Sequence, residues 1–236
     1  MATQLDLQEQ EQLDALKAFW NKQGNLITWT LVIALGGFGA WNGWNMWQRD
    51  QATKAGALFD EIDRAAQNND AERSLRVFTD LKERFPRTAY AQQAGLLAAK
   101  VQVDKGQSDA AKASLTWVAD NAVEDEMRSI ARLRLAAVQA DAKQFDDALK
   151  TLDAIKGEGF EALVADRRGD VLMAMGKGAE AKAAWLQAYR SLGEKVDYRR
   201  LIEAKLTAAG ASPDVAAVPA VAASAAASAA ALGASK

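Results

Sequence analysis

Residues 108–118, SDAAKASLTWV, decide the fold, because the same pattern of residue sizes returns elsewhere in the chain. A small residue, Ala111, is followed by large apolar residues four and seven positions later, Leu115 and Val118. Side chains at i, i+4 and i+7 lie on one face of an α-helix. This face is therefore predicted to pack against a partner helix, and the small residue lets the two helices approach closely.

The same arrangement of small and large residues occurs in three other parts of the chain. The small residues are spaced by 37, 37 and 33 positions, and three of them also have a small residue twelve positions upstream. The equivalent residues are Ser74, Ala111, Ala148 and Ala181 at the small position, Phe78, Leu115, Leu152 and Trp185 four residues later, Leu81, Val118, Ile155 and Ala188 seven residues later, and Ala99, Ala136 and Gly169 upstream. Because one helix pair cannot bury a core alone, the pattern predicts stacked pairs.

This period and pattern resemble a tetratricopeptide repeat, a helix–turn–helix unit of about 34 residues. Pro86 stands where that motif usually has its closing proline. Arg132 and Arg168 depart from the motif, because they occupy first-helix positions that are normally apolar, and a generic helical bundle remains the alternative. In either case residues 49–206 are predicted to be all-α, as an α-solenoid of about four helix pairs with a last helix near residues 197–209.

The composition excludes several classes of function. The 236 residues include no cysteine and no histidine, so a disulfide, a thiolate zinc site, a cysteine nucleophile and a Ser-His-Asp triad are all impossible. A formal net charge of −2 argues against a nucleic-acid binder. The sequence has neither a phosphate-binding loop nor a dinucleotide fingerprint. We therefore predict a protein that is not an enzyme and that has no catalytic, cofactor or metal site.

Residues 24–48 are predicted to form a single transmembrane helix after a short polar segment, residues 1–23. The apolar centre, residues 26–47, would be about 33 Å long as a helix, and a bilayer core is about 30 Å thick. Five of the seven tryptophans lie between positions 20 and 47, mostly near the two ends of this stretch, as in an aromatic belt. A cleaved signal peptide and a buried core helix remain alternatives, the second because of four polar side chains, Thr28, Thr30, Asn42 and Asn45.

Small residues within the predicted span share one helix face and suggest packing against another membrane helix. These candidates are Gly36, Gly39, Ala40 and Gly43. The direction of insertion stays open at this point. Lys17 and Lys22 precede the span and Arg49 and Lys54 follow it, so the count of basic residues nearly ties.

A repeat array offers a concave face to peptides or partner helices. Apolar residues of the predicted first helices are candidates for lining such a groove, although core positions are the alternative: Phe59, Leu96, Val103, Leu133 and Met173. A basic run, Arg128, Arg132 and Arg134, is interpreted as a solvated face balanced by nearby acids. Residues 207–236, rich in Ala and Ser with two prolines, are predicted to form a disordered tail.

The N-terminal segment has an acidic and glutamine-rich start, an aromatic pair before the span and an aromatic exit from it. These motifs are EQEQLDALK at 9–17, Phe19-Trp20, Gly24-Asn25 and WNMWQ at 44–48. With these motifs ahead of a repeat domain, the whole layout resembles the family of ancillary SecYEG translocon subunits. The resemblance covers roughly residues 5–206 and is strongest in the N-terminal segment.

The resemblance implies a single-pass protein of the bacterial inner membrane, with a cytoplasmic N-terminus and a periplasmic repeat domain. It implies association with membrane lipid, the SecYEG channel, a membrane-anchored periplasmic chaperone of the peptidyl-prolyl isomerase type and exported client proteins. The expected function is to help pass newly exported proteins to periplasmic chaperones. A scaffold for cell-envelope or cell-division assembly would have the same architecture and is the alternative.

Overall fold

The computed structural model describes residues 7–193 and 197–211, with side-chain surroundings from residue 11 onward. All regular structure in these residues is α-helical, which confirms the predicted fold class. The helices are α1 (Leu7–Gln67), α2 (Ala71–Arg84), α3 (Ala89–Asp104), α4 (Ser108–Asn121), α5 (Asp125–Asp141), α6 (Phe145–Asp153), α7 (Glu161–Ala174), α8 (Gly178–Ser191) and α9 (Tyr198–Ala208).

The chain divides into two compact units between Lys54 and Ala55. The first unit contains most of α1, and the second contains the end of α1 together with α2–α9. Helix α9 ends at Ala208, two residues past the predicted limit of the repeat domain at 206. The greater part of the predicted tail, residues 212–236, lies outside the described residues, and the domain limits remain predictions.

The second unit repeats one turn at regular intervals. Within its described part, five residues have φ between 52° and 78°: Asn69, Gly106, Lys143, Gly176 and Gly210. Each donates its N–H to the carbonyl three residues earlier, and the next residue donates to the carbonyl five residues earlier, all at 2.8–2.9 Å. These bonds satisfy the last free carbonyls of a helix. Each turn therefore ends a first helix, and α9 is the first helix of a fifth unit.

The predicted packing face of the second helices is buried. Ser74, Ala111, Ala148 and Ala181 are all 0% exposed. The large residues four positions later are at most 5% exposed, which confirms the register derived from the sequence. Seven positions after the small residue, Leu81, Val118 and Ala188 are 0% exposed. Ile155 differs from them, because α6 ends at Asp153 and this residue lies beyond the helix, where it is partly buried against the core.

The helix pairs stack in chain order. Helices α4, α6 and α8 each pack against the first helices on both sides of them in the chain, α2 packs against α3, and α5 also contacts α3 and α7 directly. Helices α3, α5 and α7 are therefore neighbours, and the surface that these first helices share is the one predicted to form a groove. The buried apolar side chains lie between the two layers of helices.

Candidate interaction surface and membrane anchor

The apolar side chains of α1 in the first unit are exposed. Leucine, valine, isoleucine and aromatic residues along it are more than half exposed: Leu26, Trp29, Leu31, Val32, Ile33, Leu35, Phe38 and Trp41. A core helix of a soluble protein would be mostly buried, but the apolar window of α1 is 6% buried. In the described part of the chain, α1 is the one helix long and apolar enough to cross a membrane. A lipid bilayer would cover this surface.

The two threonines in the span are satisfied by their own helix. The Thr28 hydroxyl donates to the Gly24 carbonyl at 2.7 Å, and the Thr30 hydroxyl donates to the Leu26 carbonyl at 2.8 Å. A hydroxyl bonded in this way presents no unpaired donor to hydrocarbon. Thr28 and Thr30 are therefore compatible with a membrane span despite their polar side chains.

The predicted packing stripe of the span is open. A Cβ atom added to Gly36, Gly39 or Gly43 would meet no described atom within 4 Å beyond the helix itself. Ala40 belongs to the same face of α1 by its spacing. Close packing against a second membrane helix remains a prediction for these four residues. Trp44 and Trp47, whose ring centroids lie 5.1 Å apart, follow the stripe at the predicted exit from the membrane.

The five predicted groove residues fall at two positions of the repeat. Phe59, Leu96 and Leu133 are spaced by 37 residues and share one position. Val103 and Met173 share another, because the carbonyl of each accepts the N–H of the positive-φ turn residue. The five residues predicted to line the groove therefore come from two equivalent positions of successive repeats.

The five residues differ in what they offer to a partner. Val103 is 41% exposed and Met173 is 37% exposed, whereas Leu96 is 8% exposed and belongs to the core. Phe59 is partly buried, with its ring 5.6 Å from that of Tyr90. Leu133 is partly buried on α5, which lies beside both α3 and α7. Val103 and Met173 are thus the accessible members of the predicted groove.

The last first helices, α7 and α9, carry a cluster of polar side chains that was not predicted from the sequence. Asp166, at the repeat position of Phe59, Leu96 and Leu133, is 1% exposed. Its carboxylate accepts from the Lys205 ammonium at 2.8 and 2.9 Å and from the Tyr198 hydroxyl at 2.6 Å. Lys205 also donates to Asp170 at 2.7 Å. Burial, followed by the hydrogen bond to Asp166, raises the pKa of Tyr198.

The cluster joins three helices. Asp166 and Asp170 belong to α7, and Lys205 and Tyr198 belong to α9. From α8, the Trp185 indole N–H lies 3.2 Å from both the Asp166 carbonyl and an Asp170 carboxylate oxygen. A buried carboxylate with this many donors is satisfied and holds α9 in place. A signal for it was present, because an aspartate replaces an apolar residue at a repeated position.

The basic run is balanced by an acid at Arg128, whose guanidinium forms an ion pair with Asp125 at 3.0 Å, as the interpretation from the sequence expected. Two of its three members also bind the ends of helices. The Arg128 Nε donates to the Ala122 carbonyl, the C-cap of α4, at 2.6 Å. The Arg132 guanidinium donates to the carbonyls of Ala119 and Ala154, at 3.4 and 3.2 Å, near the C-terminal ends of α4 and α6. Free carbonyls at a helix end attract a cation.

Arg168 has a similar place, because its guanidinium forms an ion pair with Asp153 at the end of α6. Arg132 and Arg168 therefore have a structural role at positions of the motif that are normally apolar: the guanidinium group of each binds the end of a neighbouring helix.

The chain is a helical-repeat protein of the tetratricopeptide class: the model of a tetratricopeptide repeat-like domain family matches residues 17–211. Relatives named ancillary SecYEG translocon subunit are similar over most of their length. The Escherichia coli protein is 32% identical over 186 residues, which are 78% of this chain and 88% of that protein. The Haemophilus influenzae protein is 31% identical over 185 residues (78% and 90%), and the Neisseria gonorrhoeae protein is 29% identical over 201 residues (85% and 96%). The chain belongs to the family of ancillary SecYEG translocon subunits.

Proposed function

We propose that this protein is a non-catalytic subunit that accompanies the SecYEG translocon and helps pass newly exported proteins to periplasmic chaperones. The observation that carries the proposal is the similarity to relatives named ancillary SecYEG translocon subunit, which extends over 78–85% of this chain. The tetratricopeptide repeat-like family model matches residues 17–211, which include both the exposed apolar helix and the repeat array. In this proposal α1 anchors the protein beside the channel and the repeat domain binds proteins.

The proposed topology has the N-terminus in the cytoplasm and the repeat domain in the periplasm. The numbers of basic residues on the two sides of the span are nearly equal, so charge does not select a direction of insertion. The proposed function supports this direction, because a surface that receives exported chains is useful where those chains emerge. Alkaline phosphatase, which needs oxidising surroundings, should be active when fused after Lys236. A reporter that works only in the cytoplasm should be silent at the same site, and the reverse result would overturn the topology.

Copurification after mild detergent extraction tests the proposed partners. SecYEG, and a membrane-anchored chaperone of the peptidyl-prolyl isomerase type, are expected to copurify with the full chain. Recovery of cell-division or cell-wall assembly proteins in their place would favour the scaffold alternative and contradict the export proposal. Under both the export proposal and the scaffold alternative, the apolar part of α1 is proposed to contact membrane lipid.

The span is proposed to bind a membrane helix of the translocon through its open stripe. Replacing Gly39 and Gly43 together with Ile should reduce copurification with SecYEG and leave membrane insertion intact, because bulky side chains prevent close helix approach. The matched control replaces Ala34 and Gly37 with Ile on another face of α1. Equal copurification of the two double variants would show that the repeat domain supplies the binding.

The accessible groove residues are proposed to bind the soluble partners. Val103→Asp combined with Met173→Asp should weaken binding of the chaperone or of exported chains, because a charge in an apolar contact has to be desolvated. Val123→Asp is the control, since Val123 is 55% exposed in the connection between α4 and α5. Unchanged binding in the double variant would exclude this surface.

A further inference from the structure

The apolar core of the repeat domain is thinnest between the third and fourth repeats. In the described residues, the fully buried cluster at this point consists of four residues, Ala136, Ala148, Leu152 and Val171. The clusters on either side have ten and eight buried residues, and the latter includes Trp185 and Ile202. Seven further apolar residues pack against this cluster but are only partly buried, among them Phe145 and Leu149. Apolar side chains that stay partly exposed to solvent contribute less to holding the helices together than fully buried ones.

The second helix of the third repeat is also short. Helix α6 has 9 residues, whereas α2, α4 and α8 each have 14. The chain then runs without regular structure from Ile155 to Phe160 before α7 begins. Two glycines in this connection, Gly157 at φ 154° and Gly159 at φ 89°, adopt backbone angles that other residues rarely reach. The start of the connection is held by the Arg132 guanidinium, which donates to the Ala154 carbonyl, and by Ile155, which packs against the core. The residues that can change conformation are therefore 156–160.

The regions before and after the connection are each tied internally. Before it, the Ser114 hydroxyl donates to Gln102 at 2.9 Å, and the Thr151 hydroxyl donates to Gln139 at 2.8 Å, at equivalent positions of two repeats. After it, the cluster around Asp166 joins α7, α8 and α9. These bonds hold the helices of each region together.

The polar contact between α6 and α7 is weaker. Among the residues that the structure describes, it consists of the ion pair of Asp153 and Arg168, whose side chains are 63% and 34% exposed. An ion pair this exposed to solvent adds little to stability. It can therefore break and reform without a large penalty.

We propose that residues 156–160 are a hinge, about which residues 55–155 form one rigid part and the helices α7, α8 and α9 form the other. Movement at this point changes the separation between Val103 on α3 and Met173 on α7, which are the exposed apolar side chains of the predicted groove. The repeat array could then adjust its surface to chains of different size. Rigid parts joined at a few loop residues are a common form of domain motion.

Distances between paired spin labels test the hinge in the full chain reconstituted in lipid nanodiscs. Since the sequence has no cysteine, two introduced cysteines give a unique labelled pair. Asp120→Cys on α4 with Gln187→Cys on α8 spans the hinge. Leu75→Cys on α2 with Lys150→Cys on α6 spans the same number of helices within the first part, and all four positions are exposed.

The pair across the hinge should give a distance distribution at least about twice as wide as the control pair. Equal widths, whether narrow or broad, would overturn the proposal.

Discussion

Trp185 of α8 occupies the space that a side chain on Gly169 of α7 would need. A Cβ atom added to Gly169 would lie 2.9 Å from the indole Cε2 and closer still to Cδ1 and Nε1. The indole cannot easily move away, because its N–H bonds to Asp166 and Asp170. The smallest residue and the largest are therefore matched across the contact between α7 and α8.

Gly169→Ala should destabilise the repeat domain by about 1–3 kcal/mol, because the added methyl group overpacks a contact that cannot relax. Thermal unfolding of residues 55–211 would measure the loss as a lower melting temperature. Gly178→Ala is the matched control, since a Cβ atom at Gly178 meets no described atom within 4 Å. That variant should be neutral or slightly more stable, and an unchanged melting temperature for Gly169→Ala would contradict the packing described here.

Lys205→Met should destabilise the domain by about 3 kcal/mol, because it leaves the buried carboxylate of Asp166 without its cation. Urea denaturation would measure the difference in the free energy of unfolding. Lys150→Met removes a lysine that is 80% exposed and lies 3.9 Å from Asp147, so its effect should stay below about 0.5 kcal/mol. Similar losses for the two variants would mean that the cluster does not hold α9.

Arg132→Met should cost about 1–2 kcal/mol, because the carbonyls of Ala119 and Ala154 lose a charged donor. Methionine keeps the aliphatic part of the side chain, so the change reports the hydrogen bonds rather than the packing. Arg134→Met, on the exposed side of the same helix, should change stability by less than about 0.5 kcal/mol. Equal melting temperatures of the two variants would mean that the hydrogen bonds of Arg132 do not stabilise the domain and that its side chain is merely solvated.

Tyr198 predicts a dependence of stability on alkaline pH. Its pKa is raised above the ordinary value of 10.0, so the folded protein keeps the phenol neutral where the unfolded chain ionises it. The contribution of Tyr198 to stability is therefore full below pH 10 and is lost as the pH rises through the higher pKa of the folded state. The advantage of the wild type over Tyr198→Phe should be constant from about pH 7 to 9 and shrink above about pH 10. Urea denaturation of both proteins would show this, and a constant difference up to pH 11 would contradict it.

The repeat register is the part of the fold that could be read from the sequence. Ala111, Ala148 and Ala181 reveal it because a close helix contact accepts little else at these positions. The end of α6 could not be read in the same way. Ile155 continues the apolar pattern, but the helix stops two residues before it, and local propensity gives no sign of that stop.

The predicted groove shows the same limit. The sequence identified Leu96 and Val103 as apolar residues of one first helix, and both lie on α3. Their exposed fractions, 8% and 41%, depend on which neighbouring helices cover them. Apolar residues at helical spacing identify a helix face, but the packing of other helices decides how much of that face stays accessible.

The sequence by itself determined the all-α class, the repeat period and the apolar span, because each of these depends on the spacing of residue types along one helix. Only the tertiary structure decided the contacts made by polar side chains. Asp166 meets Lys205 and Tyr198 across more than thirty residues, and Arg132 reaches the ends of two other helices. The partners of a buried charge are set by which helix ends and side chains the stacked repeats bring within hydrogen-bond distance, and no local pattern in the chain records that distance.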